Sequence, residues 1–158
     1  MRIRNLSAAV AVAVVTAASP LTASIAGERD GVVRIKSPYL VAETVARIKK
    51  GIAERGIHLF AEIDQSRLAP EPDIKLRPST LLVFGDPALG TRFITVNPLA
   101  GLDWPVRLLV TQDDDGTVWV AYTDFDWIAQ RHRISNPPLE FKMEKDVITL
   151  ITSSLAAY

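Results

Sequence analysis

Between Val41 and Phe84 the spacing of apolar residues changes twice, and that succession admits few folds. Val41, Val45, Ile48 and Ile52 recur at intervals of four, three and four. At 3.6 residues per turn they form one stripe, so the segment is expected as an amphipathic helix. Glu43/Arg47 and Lys50/Glu54 set opposite charges four residues apart on its other faces. Gly56 suits the left-handed position that closes a helix, and Ser37 before Pro38 is one choice of N-cap. From Ile57 to Asp64 the period drops to two. Ile57, Leu59, Ala61 and Ile63 are expected on one face of a strand, with His58, Phe60, Glu62 and Asp64 on the other. Leu81-Leu82-Val83-Phe84 is continuously apolar, as in a central strand covered on both faces, and Gly85-Asp86-Pro87 ends it.

The remaining segments extend this pattern. Val32, Val33 and Ile35 form a short β-prone run. Gln65 to Pro78 is a polar loop with three prolines, a length at which loops carry mobility or function. Ala88 to Val96 reads as a helix that stops before Asn97-Pro98. Val106–Gln112 and Thr117–Thr123 read as strands joined through Asp113-Asp114-Asp115-Gly116. Asp124 is placed to cap a short helix reaching His132, and Leu139 to Ala157 closes the chain as a helix. The order is β-α-β-β-α-β-β-α-α. The expected class is α+β: a mostly antiparallel sheet with its helices on one face.

The first residues speak to address. Arg2 and Arg4 precede an apolar run from Leu6 to Ala18, and Ser24-Ile25-Ala26 supplies small residues before Gly27. Basic start, apolar run and small-residue site are the order of a cleaved secretory signal. The apolar run has 13 residues, short of the roughly 20 that span a bilayer. Residues 1–26 are therefore expected to be a signal peptide, and 27–158 one exported domain, periplasmic or secreted. Stable membrane insertion after cleavage is not expected. The leader takes two arginines and no acid, which leaves 16 basic and 18 acidic residues, a net charge of −2 with histidine neutral. Such a balance lacks the basic stripe that phosphate backbones require, so nucleic acid is excluded as a partner. The chain has no cysteine. Packing alone must hold the domain, and thiol chemistry is ruled out.

A longer pattern now emerges. Phe60-Ala61-Glu62-Ile63-Asp64 is followed by Arg77-Pro78-Ser79-Thr80-Leu81-Leu82-Val83-Phe84-Gly85-Asp86-Pro87. Then come Gly90-Thr91, Asn97-Pro98-Leu99-Ala100-Gly101-Leu102-Asp103 with Pro105, Val118-Trp119-Val120-Ala121-Tyr122, and Arg131-His132. In this order, over residues 32–133, the chain resembles the domain of unknown function 302 family. The resemblance implies a compact α+β fold, often dimeric, with no agreed activity. Two places depart from that pattern. Gln65 stands where the family commonly has histidine, and Thr123-Asp124-Phe125 where it commonly has Asn-Asp-Pro.

Known chemical motifs fit poorly. His58 and His132, with Glu62, Asp64, Asp103, Asp124 and Asp126, show no metal-ligand spacing, so neither a metal nor a cofactor is expected. The acids of Asp113-Asp114-Asp115-Gly116 are consecutive, and Tyr122 stands where an EF-hand needs glutamate. Gly85 to Thr91 imitates a phosphate loop but lacks its lysine, and Pro87 has no N–H to offer. Trp104, Trp119, Trp127 and Tyr122 are assigned to core or interface. Large apolar groups on both faces of Val118–Tyr122 point to a homodimer.

Polar residues that a strand or turn does not need are the informative ones. Glu62, Asp64, Arg77, Asn97 and Asp103, together with His132, which the family resemblance alone adds, are expected to converge on one ligand-binding cleft. The competing expectation is a structural ion pair in which Arg77 holds the carboxylates and anchors the long loop. Two functional classes stand side by side. One is a non-enzymatic exported domain that binds a small molecule or pairs with a second copy of itself. The other is an enzyme working through Glu62, Asp64, Asn97 and His132. A purely structural partner is a third reading, with an interface and no pocket.

Overall fold

The structure, a computed structural model, describes residues 30–68, 74–135 and 139–155. The expected signal peptide, part of the proline-rich loop and the last residues of the closing helix lie outside the described residues. The elements follow the order read from the sequence: β1 (Val32–Ser37), α1 (Val41–Glu54), β2 (His58–Asp64), β3 (Ser79–Gly85), α2 (Pro87–Val96), β4 (Val106–Gln112), β5 (Val118–Thr123), α3 (Phe125–Arg131) and α4 (Leu139–Ser153). The strands form one sheet in the order β1-β5-β4-β3-β2, and every neighbouring pair is antiparallel.

One face of this sheet makes the core. Leu82, Leu108, Tyr122 and Val33 lie in one cross-strand row, and Val110, Val120 and Ile35 in the next. Against them pack the α1 stripe of Val45, Ile48 and Ile52, with Ile148 and Ile151 of α4, Phe93 of α2, and Phe125 and Ile128 of α3. Ile48, Leu82, Leu108, Ile148 and Ile151 are fully enclosed, each stabilising the fold by about 1.5–3 kcal/mol relative to exposure.

Among the described residues the other face is left open. Leu81, Val83, Leu109 and Ala121 are only half-buried, and Ile63 is 37% exposed. This corrects the reading of β3 as covered on both sides: an apolar run shows what a strand carries, not what lies above it. β2 needs a second correction. Leu59 pairs with Phe84, but Ala61 pairs with Val83, because a bulge inserts Phe60. Leu59 therefore faces the core while Ala61 and Ile63 face the open side. An extra residue shifts a period-two pattern by one, which flips every side chain beyond it.

Local capping follows the short polar residues. Asp86 accepts the N–H groups of Ala88 at 2.7 Å and Leu89 at 3.4 Å at the start of α2. Asp124 accepts those of Asp126 at 2.7 Å and Trp127 at 3.1 Å at the start of α3. Ser37 is not the N-cap of α1; Leu40 holds that position without a side-chain bond. The Ser37 hydroxyl instead bonds the Thr44 hydroxyl at 2.7 Å, tying β1 to the first turn of α1. The acidic hairpin is held from within. Asp113 accepts the Thr117 N–H at 2.9 Å and the Trp119 indole N–H at 2.8 Å. Hydrogen bonds from Thr117 hold the Asp115 carboxyl down at about 2.

The glycines that imitate a phosphate loop serve an aromatic ring. A Cβ on Gly90 would lie 1.9 Å from the Trp104 ring, and one on Gly85 would lie 3.1 Å from its Nε1. Their spacing makes a slot for the indole, which Phe60 meets edge-on at 5.8 Å.

Candidate functional site

A buried carboxylate organises a polar cluster that holds three of the six predicted residues. Asn97 ends α2 and opens a 3-10 turn, Pro98–Leu102, by accepting the Leu99 N–H at 2.9 Å. Its amide nitrogen donates to the carbonyl of His132 at 2.9 Å, satisfying a backbone acceptor left over at the C-terminus of α3. This bond brackets the end of α3 against the turn. Asp103 closes the turn with only 3% of its side chain exposed. Its Oδ2 lies 2.6 Å from His132 Nε2. An ionised carboxylate only accepts, so the proton of that bond sits on Nε2. Its Oδ1 accepts from Arg107 of β4 and from Arg131 of α3, both at 3.2 Å. Arg107 also reaches the Leu102 carbonyl at 2.9 Å. His132 is buried, whereas each guanidinium side chain stays 51% exposed. A shallow recess beside this cluster is lined by Asp103, Val106, Arg107, Thr123, Phe125 and Ile128.

The six predicted residues therefore divide. Asn97, Asp103 and His132 come together. Glu62 instead pairs with Lys49 of α1. Asp64 accepts from Ser66 and pairs with Arg67 at 2.9 Å. Arg77 pairs with Asp114 of the hairpin at 2.6 Å. The rival expectation, Arg77 holding Glu62 or Asp64, is replaced by these three local pairs. The bulge at Phe60 also separates His58 from Glu62, since His58 pairs with Gly85 and Glu62 with Leu82, on opposite faces. His58 lies edge-on to Phe60 at 4.6 Å. Gln65 accepts from Ser79 at 2.9 Å and fastens the residues after β2 to β3. Among the described residues no three His, Cys, Asp or Glu side chains are gathered as a metal site would need.

Sequence reasoning missed three residues. Arg107 follows Asp103 by four positions and Arg131 precedes His132, but nothing in their spacing names a shared partner. Glu144 lies inside the closing helix, where nothing in the sequence marks it. It is 2% exposed, and its Oε1 has no hydrogen-bond partner among the described residues. Burial, and secondarily the Asp86 carboxylate, push its acid up to about 7. The Trp104 Nε1 is likewise buried without a described partner.

The family model for the domain of unknown function DUF302 matches residues 33–150. The chain belongs to the DUF302 family. As a DUF302 domain it is 36% identical over 105 residues to a protein named fluoride-specific ion channel FluC 1 of Brucella suis biovar 1 (strain 1330), covering 66% of this chain and 41% of that one. The same identity relates it to FluC 1 of Brucella abortus biovar 1 (strain 9-941), with 66% of this chain and 39% of that protein covered. The DUF302 domain thus spans about two fifths of the length of these curated relatives. The crystal structure of an uncharacterized conserved DUF302 protein from Bacillus stearothermophilus matches with a TM-score of 0.64 at 17% identity, covering 80% of this chain and 96% of that one. That likeness concerns the fold alone. Thr123 and Phe125, two of the positions where this chain departs from the pattern it resembles, both line the recess.

Proposed function

We propose that this DUF302 domain works outside the cytoplasm, after loss of residues 1–26, as a non-enzymatic binding domain for a small ligand, with its site at the recess beside Asp103. The observation that carries this reading is a buried carboxylate gripped by His132, Arg107 and Arg131 at the wall of that recess. Convergent polar groups at a surface recess are the anchoring part of small-molecule sites. The enzyme reading now has only part of its cluster, because Glu62 and Asp64 are paired away from Asn97 and His132. Among the described residues no helix is long and apolar enough to cross a membrane.

Native mass spectrometry of the protein from its own host tests this reading. The expected species begins at Gly27 and carries a small molecule that leaves on collisional activation without chemical change. A bare species beginning at Met1 would reject both export and binding. Turnover of the released molecule would favour the enzyme.

A second reading, pairing with another copy, has its own support. Ile63, Leu81, Leu109 and Ala121 line one row across the open sheet face, with Val83 beside them. An uncovered row of this kind favours association, and isologous pairing is the commonest form. Light scattering on residues 27–158 is expected to give twice the chain mass, and Leu109→Lys to return it to one chain. A wild-type monomer at tens of micromolar, a concentration at which an isologous pair of ordinary affinity is populated, rejects the dimer.

A further inference from the structure

We propose that the turn after α2 docks this domain onto an anionic phospholipid bilayer, with Leu99 and Leu102 entering the acyl boundary and Arg107, Arg131 and Arg133 among the headgroups. This inference is independent of the ligand reading of the recess, and it sets the chain at a membrane surface, not across it.

The turn is apolar where solvent reaches it. Leu99 is 65% exposed and Leu102 63%, and Val96, at the end of α2, is 52% exposed. Side chains three positions apart lie side by side in a 3-10 turn, so the two leucines project together from Pro98–Leu102. Neither serves the core, to which this turn gives Ala100. Apolar side chains scattered singly over a surface are ordinary, but neighbours this bare mark a contact. Their support is fastened. Asn97 caps the turn and donates to the His132 carbonyl, and Arg107 holds the Leu102 carbonyl at 2.9 Å. Little order is therefore lost on docking.

Charge decides what covers them. Residues 93–107 and 127–135 meet through the bonds of Asn97 and Asp103. Together they hold three arginines and one acid, Asp103, which is buried. Two positive charges are therefore left over beside the leucines, before any contribution from His132. Arg107 and Arg131 are half-exposed, and Arg133 is exposed with no side-chain partner among the described residues. The net charge of −2 over residues 27–158 does not oppose this, because exposed charges more than about 8 Å away are largely screened at physiological salt. Apolar side chains for the acyl boundary and cations for anionic headgroups are the two parts of interfacial binding. A protein partner would have to supply a hollow matched to both leucines, whereas lipid chains yield to any convex shape.

The test is flotation of the full mature chain with lipid vesicles. Vesicles of phosphatidylcholine containing about a third phosphatidylglycerol are expected to bind it about tenfold more tightly than pure phosphatidylcholine, and high salt to release it. Replacing both leucines, Leu99→Ala with Leu102→Ala, should weaken binding by about tenfold or more. Arg133→Gln should weaken it about fivefold, the share of one cation near an anionic surface. These side chains are exposed, so melting temperatures should stay the same. In the wild-type chain a spin label on the lipid tails should broaden the Leu99 and Leu102 amide signals first, a readout that decides even where a variant misfolds. Binding to neither vesicle, equal binding to both, or binding that survives loss of both leucines overturns the proposal. So does broadening centred on the open sheet face. Self-association without lipid that Leu102→Asp abolishes would overturn it too, and would mark the turn as a contact between copies.

Discussion

Replacing Glu144 with glutamine is expected to stabilise the domain at pH 8 and to leave it almost unchanged at pH 4. Glu144 sits 2% exposed on α4 with one carboxyl oxygen unpartnered among the described residues. Burial, and then the Asp86 carboxylate, raise its acid from 4.5 to about 7. Below pH 4.5 the group is protonated both folded and unfolded, and its neutral form is fully tolerated. Between 4.5 and 7 the unfolded chain releases the proton while the folded chain holds it. The unfolded state gains over this window, so stability falls as pH rises and has lost its full share above 7. A displacement of this size is worth about 3 kcal/mol. Glutamine has the shape of the protonated acid and cannot ionise, so it removes the slope. Thermal melts of both proteins at pH 4, 6 and 8 check this. The two melting temperatures should meet at pH 4 and separate by roughly 10 °C at pH 8 for a domain of this size. A constant gap at all three values would show that Glu144 ionises in the fold as it does in the unfolded chain.

Asp103→Ala is expected to cost about 3 kcal/mol, the range for breaking one side of a buried charged network. The half-exposed arginines can return to water, which softens the loss. His132 cannot, because its side chain is 5% exposed and would keep a buried N–H with no acceptor. Asp103→Asn should cost less, about 1–2 kcal/mol, since one amide oxygen can still accept. Urea denaturation of Asp103→Ala, His132→Ala and the double variant separates the terms. A coupling energy above about 1 kcal/mol marks the pair as a unit. Additive losses would mean that the 2.6 Å contact contributes nothing of its own.

The Asp103 cluster shows why half of the predicted site was legible and half was not. Asn97 and Asp103 stand out as polar residues at a chain break, with no duty in a strand, and His132 only as the end of the family pattern that the chain resembles. That reasoning holds for short connections, where the caps themselves bring residues together: Asn97 starts the turn that Asp103 ends. It fails for Glu62, Asp64 and Arg77. Long charged side chains reach whatever opposite charge is nearest, and Lys49, Arg67 and Asp114 are nearer than the cleft. The same limit hid Arg107 and Arg131, whose common partner exists only once β4 and the end of α3 lie side by side.

Periodicity and turn chemistry, both local, were enough for the nine elements, their order and the α+β class. Capping by Asp124, closure of α1 near Gly56 and the acidic hairpin were readable for the same reason, since each depends on residues within a turn of one another. Tertiary structure alone decided what depends on distant neighbours. It placed Gly85 and Gly90 under Trp104 rather than around a phosphate. It left one face of β3 open and shifted the register of β2 at Phe60. It enclosed the carboxyl of Glu144 on a helix whose sequence is ordinary. Burial and pairing belong to the space between elements, and a pattern read along the chain carries the period of an element but not the identity of what packs against it.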